Sequence, residues 1–102
     1  MYSLNVTYAA ETDLEDILSY LSLELDNKTA VQQLLAGIEL CYSRLTSTPY
    51  LYERCQDSRL RQMGYRRAVI HHYVMIYRID ESSHCVHILR FFHGSRDYER
   101  LI

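Results

Sequence analysis

His93, Gly94, Ser95, Arg96, Asp97 and Tyr98 stand in a row directly behind a β-favouring run, and their types and spacing could do chemistry. A histidine can move a proton, an arginine can hold a phosphate, and a tyrosine can stack or donate a hydrogen bond. Together they could act on RNA: His93 would take the proton of a 2′-hydroxyl, and Arg96 would stabilise the charge developing on phosphorus. Gly94 permits the tight turn such a cluster needs. The same residues allow a plainer role, in which Arg96 and Asp97 only pin the C-terminal tail to a sheet.

A second set lies on the strands that precede this cluster. Arg66, Arg67, Arg78 and Arg90 alternate with aromatic and aliphatic residues, and could form a basic, aromatic-bordered surface for nucleic acid. Alternation alone does not put them on one face, because Arg66 is in phase with Ala68 and Ile70, whereas Arg67 is in phase with Tyr65 and Val69. A formal net charge of −2 argues against a general nucleic-acid binder. The balance hides an asymmetry. Residues 1–50 carry seven acids and two bases, and residues 51–102 carry six acids and nine bases, all arginine. Arginine without lysine suggests planar contacts to carboxylates or phosphates, or ordinary salt bridges beside strands. His71 and His72 are adjacent and point apart in extended chain, while His87 and His93 are isolated, so no metal site and no cofactor are expected. Neither a glycine-rich phosphate loop nor a GxSxG elbow is present.

The elements that must position these residues can be read from hydrophobic period. Tyr2 to Tyr8 alternates as a half-buried strand. From about Ala9 to Leu25 the period becomes helical, with Leu14, Ile17, Leu18, Leu21 and Leu25 on one side and acids in the first turns. Asp26 to Thr29 breaks the pattern and supplies N-cap side chains. A second helix carries Val31, Leu34, Leu35, Ile38, Tyr42 and Leu45 on one stripe, with Gly37 inside it, and ends at Thr46–Pro49. The short link predicts an antiparallel helical hairpin. Tyr50 to Leu60 shows no period and reads as an exposed connecting loop. Three strands follow: Met63 or Tyr65 to Ile70, Tyr73 to Ile79, and Cys85 to Phe92. Links this short make them an antiparallel meander.

The order predicts an α+β fold, one twisted and mainly antiparallel sheet with the helical hairpin on one side. Because Tyr73–Tyr77 is apolar on both faces, the second face needs cover from the C-terminal segment or from a partner. At 102 residues the chain is expected to form a single domain spanning 1–102. No apolar run approaches the ~18 residues of a membrane span, so a cytoplasmic protein without a membrane partner is expected. Cys41, Cys55 and Cys85 lack ligand spacing and read as free, mostly buried thiols.

With these residues in view, the segment Val86 to Leu101 resembles the ending of the RelE/ParE toxin superfamily. Tyr65-Arg66-Arg67 through Tyr73–Asp80 resembles its preceding hairpin, and the opening strand running into Ala9–Ile17 is similar to its start. The resemblance implies a RelE-like fold and the toxin of a bacterial type II toxin–antitoxin pair. A cognate antitoxin would neutralise it by wrapping an open groove, and the toxin would reach operator DNA only through that antitoxin. One branch of the superfamily cuts messenger RNA on the ribosome without metal; the other poisons DNA gyrase. By resemblance, Arg96 matches a tail arginine of the RNases, Arg67 falls near a basic position on their second strand, and His93 and Tyr98 stand where they use a base and an aromatic. Val74 replaces an arginine of the RNases, and their lysine-rich strand is missing. These departures favour gyrase inhibition, with the ribosome-dependent RNase as the alternative. A non-catalytic module binding a peptide strand on the sheet is the reading from another class.

Overall fold

The computed structural model describes residues Met1–Ile102. Strand β1 (Ser3–Val6) leads into helix α1 (Tyr8–Ser19), a π-helical turn (Tyr20–Glu24) and helix α2 (Lys28–Ser47). A short helix α3 (Ser58–Gln62) precedes strands β2 (Arg66–Ile70), β3 (Tyr73–Asp80) and β4 (Cys85–His93), and a 3₁₀ turn (Tyr98–Arg100) closes the chain. The four strands form one sheet in the order β1-β4-β3-β2. The meander β2-β3-β4 is antiparallel, and β1 joins its edge parallel to β4, Ser3 opposite Cys85 and Val6 opposite Ile88. No helix is long and apolar enough to cross a membrane.

Local chemistry sets the helix limits. Thr7 caps α1, its Oγ1 accepting from Ala10 N at 3.2 Å while donating to the Leu89 carbonyl at 3.1 Å, so one hydroxyl starts the helix and fastens it to β4. The sequence predicts a single helix to about Leu25. In the structure α-helical bonding stops at Ser19 and continues as the wider π turn, closed by Leu25 N to Tyr20 O at 3.1 Å. Asp26 follows at φ 47°, the left-handed residue that ends the element. Asn27 then caps α2 by accepting from Ala30 N at 3.0 Å. A Cβ on Gly37 would sit 2.8 Å from Ile70 Cγ2 and 3.3 Å from the His71 ring. The glycine is what lets α2 lie so close to the end of β2.

Two cores result, one on each side of the sheet. Leu34, Ile38, Cys41 and Leu45 of α2 pack on Ala68, Ile70, Met75, Tyr77, Val86, Ile88 and Phe91. Across the sheet, Cys55, Leu60, Val74, Ile76, Phe92 and Tyr98 form a smaller cluster, with Tyr65, Leu89 and Ile102 at its border. The face that needed cover therefore takes it from the chain itself. This corrects the exposed loop expected over Tyr50–Leu60. Cys55 N bonds Tyr65 O at 2.9 Å, Arg67 N bonds Glu53 O at 3.0 Å, and Leu60 is wholly buried. A helix of barely more than one turn carries too few residues to show a period. Its only signal was the Asp57 cap, which accepts from Leu60 N at 3.0 Å.

Candidate functional site

A bulge sets the geometry of the end of β4. Tyr77 lies opposite Ile88, but Ile76 lies opposite Arg90, so Leu89 is the extra residue. Arg90 thus sits beyond the end of β1, where the edge of β4 has no strand partner. Asp13 of α1 supplies the missing acceptor. Its Oδ2 takes Phe91 N at 3.0 Å, and the carboxylate receives Arg90 Nε at 2.6 Å and Nη2 at 3.0 Å. That bidentate pair raises the Arg90 pKa further. Arg90 also lies 4.7 Å over the Phe92 ring and reaches the Leu101 carbonyl at 3.4 Å. Expected to contact a target, Arg90 is instead occupied in joining α1, β4 and the tail.

His93 ends β4, exposed, with its ring edge-on to Tyr73 at 5.5 Å. Ser95 N donates to His93 Nδ1 at 3.1 Å, and the Ser95 hydroxyl lies 2.7 Å from the same atom. An Nδ1 that accepts a backbone N–H leaves the proton of the neutral ring on Nε2. In this arrangement neither nitrogen offers an unengaged lone pair to a 2′-hydroxyl.

Tyr98 does not stand at a surface. It is 7% exposed and stacks on Phe92 at 5.7 Å, with burial pushing its hydroxyl pKa up. The tail is not pinned by Arg96 and Asp97 either. Asp97 pairs only with Arg100 at 3.1 Å in an exposed local bridge, and Arg96 has no ion pair. What holds the tail is Tyr98 in the second core and Arg59, whose Nη2 donates to the carbonyls of Glu99 at 2.7 Å and Ile102 at 3.0 Å. Asp13 and Arg59 are the two residues that reading the sequence missed. Each meets its partner across a large sequence separation, and no local pattern marks either.

The strand arginines do not make one surface. Arg66 turns to the helix side, donating to the Tyr52 carbonyl at 2.7 Å and lying 4.9 Å over Tyr50. Arg67, opposite Ile76, projects to the other side, and Arg78 stands on β3 opposite His87. Both Arg67 and Arg78 are half-buried and neither forms an ion pair. The structure does bring Arg67 and His93 into one cleft of about 300 Å³. Arg96 lies in the next, of about 170 Å³, and His93 borders both.

This combination of a helical pair over a β1-β4-β3-β2 sheet with a capped second face is the fold of toxins from type II toxin–antitoxin pairs. The toxin in the chromosomal ParDE system of Pseudomonas aeruginosa superimposes with a TM-score of 0.70 at 19% identity, over 91% of this chain and 96% of that one. The RelBE2 complex of Mycobacterium tuberculosis gives 0.64 at 24% identity, over 90% and 96%. The isolated RelE toxin of Escherichia coli gives 0.64 at 10% identity, over the whole of both chains. A search of curated protein sequences finds no match. The family model of the ParE toxin of the type II toxin–antitoxin system parDE matches residues 4–98, and the chain belongs to that family.

Proposed function

We propose that this toxin arrests growth by poisoning DNA gyrase without cutting RNA, and that a cognate antitoxin keeps it inactive. The observation that carries the choice is the state of the two groups an RNase would need beside its arginines. His93 has Nδ1 engaged by Ser95, and Tyr98 is stacked in the second core. Arg67 and Arg96 are then left without a free base and without the aromatic expected beside them, and they serve as contacts together with Arg78. Arg66 and Arg90 hold the fold.

The antitoxin needs a seat other than the centre of the second face, which α3 and the tail already fill. The outer edge of β2 supports one. Residues 53–55 pair only with its first half, and beyond them Val69 is 59% exposed beside Leu40 and Leu51. A groove of about 560 Å³ runs there, lined by Leu51, Tyr52, Gln56, Arg67 and Val69. An unpaired edge with an apolar groove alongside suits an added peptide strand. Operator DNA is reached only through the antitoxin.

The test is induction of the toxin alone, with a DNA-damage reporter and sequencing of RNA 5′ ends in one culture. Growth arrest with a damage response and intact transcripts is expected, and purified gyrase should accumulate cleaved DNA when the toxin is added. New 5′ ends at fixed positions within codons, lost in His93→Ala or Arg96→Ala, would replace this reading with a ribosome-dependent RNase. Harmless induction would leave a peptide-binding module.

A further inference from the structure

The outer edge of β2 is open over a definite stretch. The two-residue turn sets Ile70 opposite Tyr73, so Arg66, Ala68 and Ile70 bond to β3, and the residues between them turn their N–H and carbonyl groups outward. Two of these outward groups are used. Tyr65 O accepts from Cys55 N at 2.9 Å, and Arg67 N donates to Glu53 O at 3.0 Å. There the covering segment leaves the edge. The Arg67 carbonyl and both backbone groups of Val69 have no backbone partner. Neither a bulge nor a proline blunts this stretch, the usual ways of protecting an edge. Val69 instead stands between Leu40 of α2 and Leu51, and all three are more than half exposed.

A strand laid on this edge would send alternate side chains to opposite faces of the sheet, and each face has a depression there. On the side of the second core lies the groove that contains Leu51, Gln56 and Val69, with one charge of each sign in Glu53 and Arg67. On the helix side a cleft of about 180 Å³ runs between α2 and β2. Leu40, Cys41, Tyr52 and Ile70 line it, and His71, whose ring packs against Gly37, closes one end. Arg44 is the charged residue of this cleft, and no carboxylate enters it. Arg44 forms no ion pair, and burial raises the pKa of the neighbouring Cys41 thiol and Tyr52 hydroxyl, which keeps both neutral. The helix side therefore offers an apolar floor and one unanswered cation.

Resting on the reading that an antitoxin holds this toxin inactive, we infer that the antitoxin adds a short extended segment to β2 opposite Val69, and that Arg44 selects it through an acidic side chain on the face turned to α2. Free N–H and carbonyl groups in a row along an edge are matched by another extended backbone, and an aliphatic surface on both sides gives that backbone something to pack on. A second copy of the chain does not fit. Centred on Val69, it would bring its own β2–β3 turn opposite Arg67, where Glu53 already sits. A single segment can stop short of that point. Its residue opposite Val69 is apolar and packs with Leu51; of the two neighbours facing α2, one is aliphatic against Leu40 and the other acidic against Arg44.

The probe is an acetylated and amidated peptide, Val-Glu-Val-Leu-Val, labelled at one end, with the full-length toxin and neither gyrase nor antitoxin present. Fluorescence anisotropy should show saturable binding, and the same peptide with lysine in place of glutamate should bind about tenfold more weakly. Arg44→Glu should reverse the order of the two peptides, which mere loss of packing would not do. Val69→Pro removes an outward N–H that β3 does not use, and should weaken both peptides about tenfold. A second measurement does not depend on that variant folding. In the unaltered toxin the Val69 amide should exchange quickly with solvent and slow about tenfold on adding the glutamate peptide, while the Ala68 amide is protected throughout. Absence of saturable binding, equal binding of the two peptides, an unchanged order in Arg44→Glu, or binding that leaves Val69 exchange untouched each overturns the inference. The strand site can fail in this assay while toxicity and its neutralisation stand. Harmless induction of the toxin in cells would sink the toxin reading even with the peptide bound.

Discussion

Replacing Asp13 by alanine removes the acceptor for three N–H groups at once: Arg90 Nε, Arg90 Nη2 and Phe91 N. A hydrogen bond to a charged group contributes about 1.5–3 kcal/mol, but three that share one carboxylate do not add. The Arg90 side chain is 30% exposed and that of Asp13 16%, so water recovers part of what is lost. We therefore expect Asp13→Ala to cost about 2–3 kcal/mol, which for a chain of this size lowers Tm by about 10–15 °C. Asp13→Asn keeps a neutral acceptor for Phe91 N and should cost about 1 kcal/mol. Arg90→Lys keeps the charge but gives up the two-pronged contact and the stacking over Phe92, and should fall between the two. Urea unfolding followed by circular dichroism reads all three, with an unchanged m-value indicating a change in stability alone. If Asp13→Ala costs less than about 1 kcal/mol, the pair is not what joins α1 to β4. If Arg90→Ala leaves stability intact and abolishes inhibition of the target, assigning Arg90 to the fold is wrong.

Leu60→Ala empties a wholly buried position in the second core and should cost about 2–5 kcal/mol, whereas a residue on an exposed loop would cost almost nothing; urea unfolding separates the two. Burial raises the thiol pKa of Cys41 and Cys55, so in the native protein near pH 8 an alkylating reagent should modify Cys85 first. Mass spectrometry showing Cys41 or Cys55 modified at the rate of an unfolded control would contradict the packing. In the β3–β4 turn, Asp80 has its pKa lowered by hydrogen bonds from Ser82 and then Ser83. A depressed carboxyl pKa stabilises the fold above the unfolded value of 3.8 and loses that contribution as pH falls through the lower, folded value. Ser82→Ala should therefore reduce stability near neutrality and flatten the acid limb below about pH 4, measured as urea midpoint against pH.

Much of this architecture was legible because it is periodic. Alternation marked β1 and the meander, and the three-to-four-residue stripe marked α2, where Leu34, Ile38, Cys41 and Leu45 prove to be the buried ones. Double-sided burial of Tyr73–Tyr77 was also readable, and it correctly implied cover on both faces. Of the two covers expected, the C-terminal segment or a partner, the segment supplies part through Tyr98 and Ile102; the share taken by Cys55 and Leu60 was not readable. Tyr98 sits in a run of polar residues and looks available for chemistry; only its stacking on Phe92 makes it part of a core. Arg90 and Asp13 lie 77 residues apart, and Arg59 lies 40 residues from Glu99, so neither partnership leaves a local trace. The choice between structural and exposed arginines depends on those distant partners. Reading β2 by alternation did separate Arg66 from Arg67, and the two do point to opposite sides. That β1 adds to β4, and does so in parallel, has no counterpart in the residues of either strand.

That parallel edge has a bearing on how the toxin comes into being. Asn5 and Thr7 find their partners on β4 82 residues later, so the first strand and the floor beneath α1 exist only once nearly the whole polypeptide has left the ribosome. Contacts closed over so long a loop form late and slowly. A message that breaks off before Cys85 yields helices over a lone β2–β3 hairpin, without the strand that α1 and β1 lie on, and such a fragment is expected to be harmless when induced. The hazard begins with the last codons, and so does the need for the antitoxin.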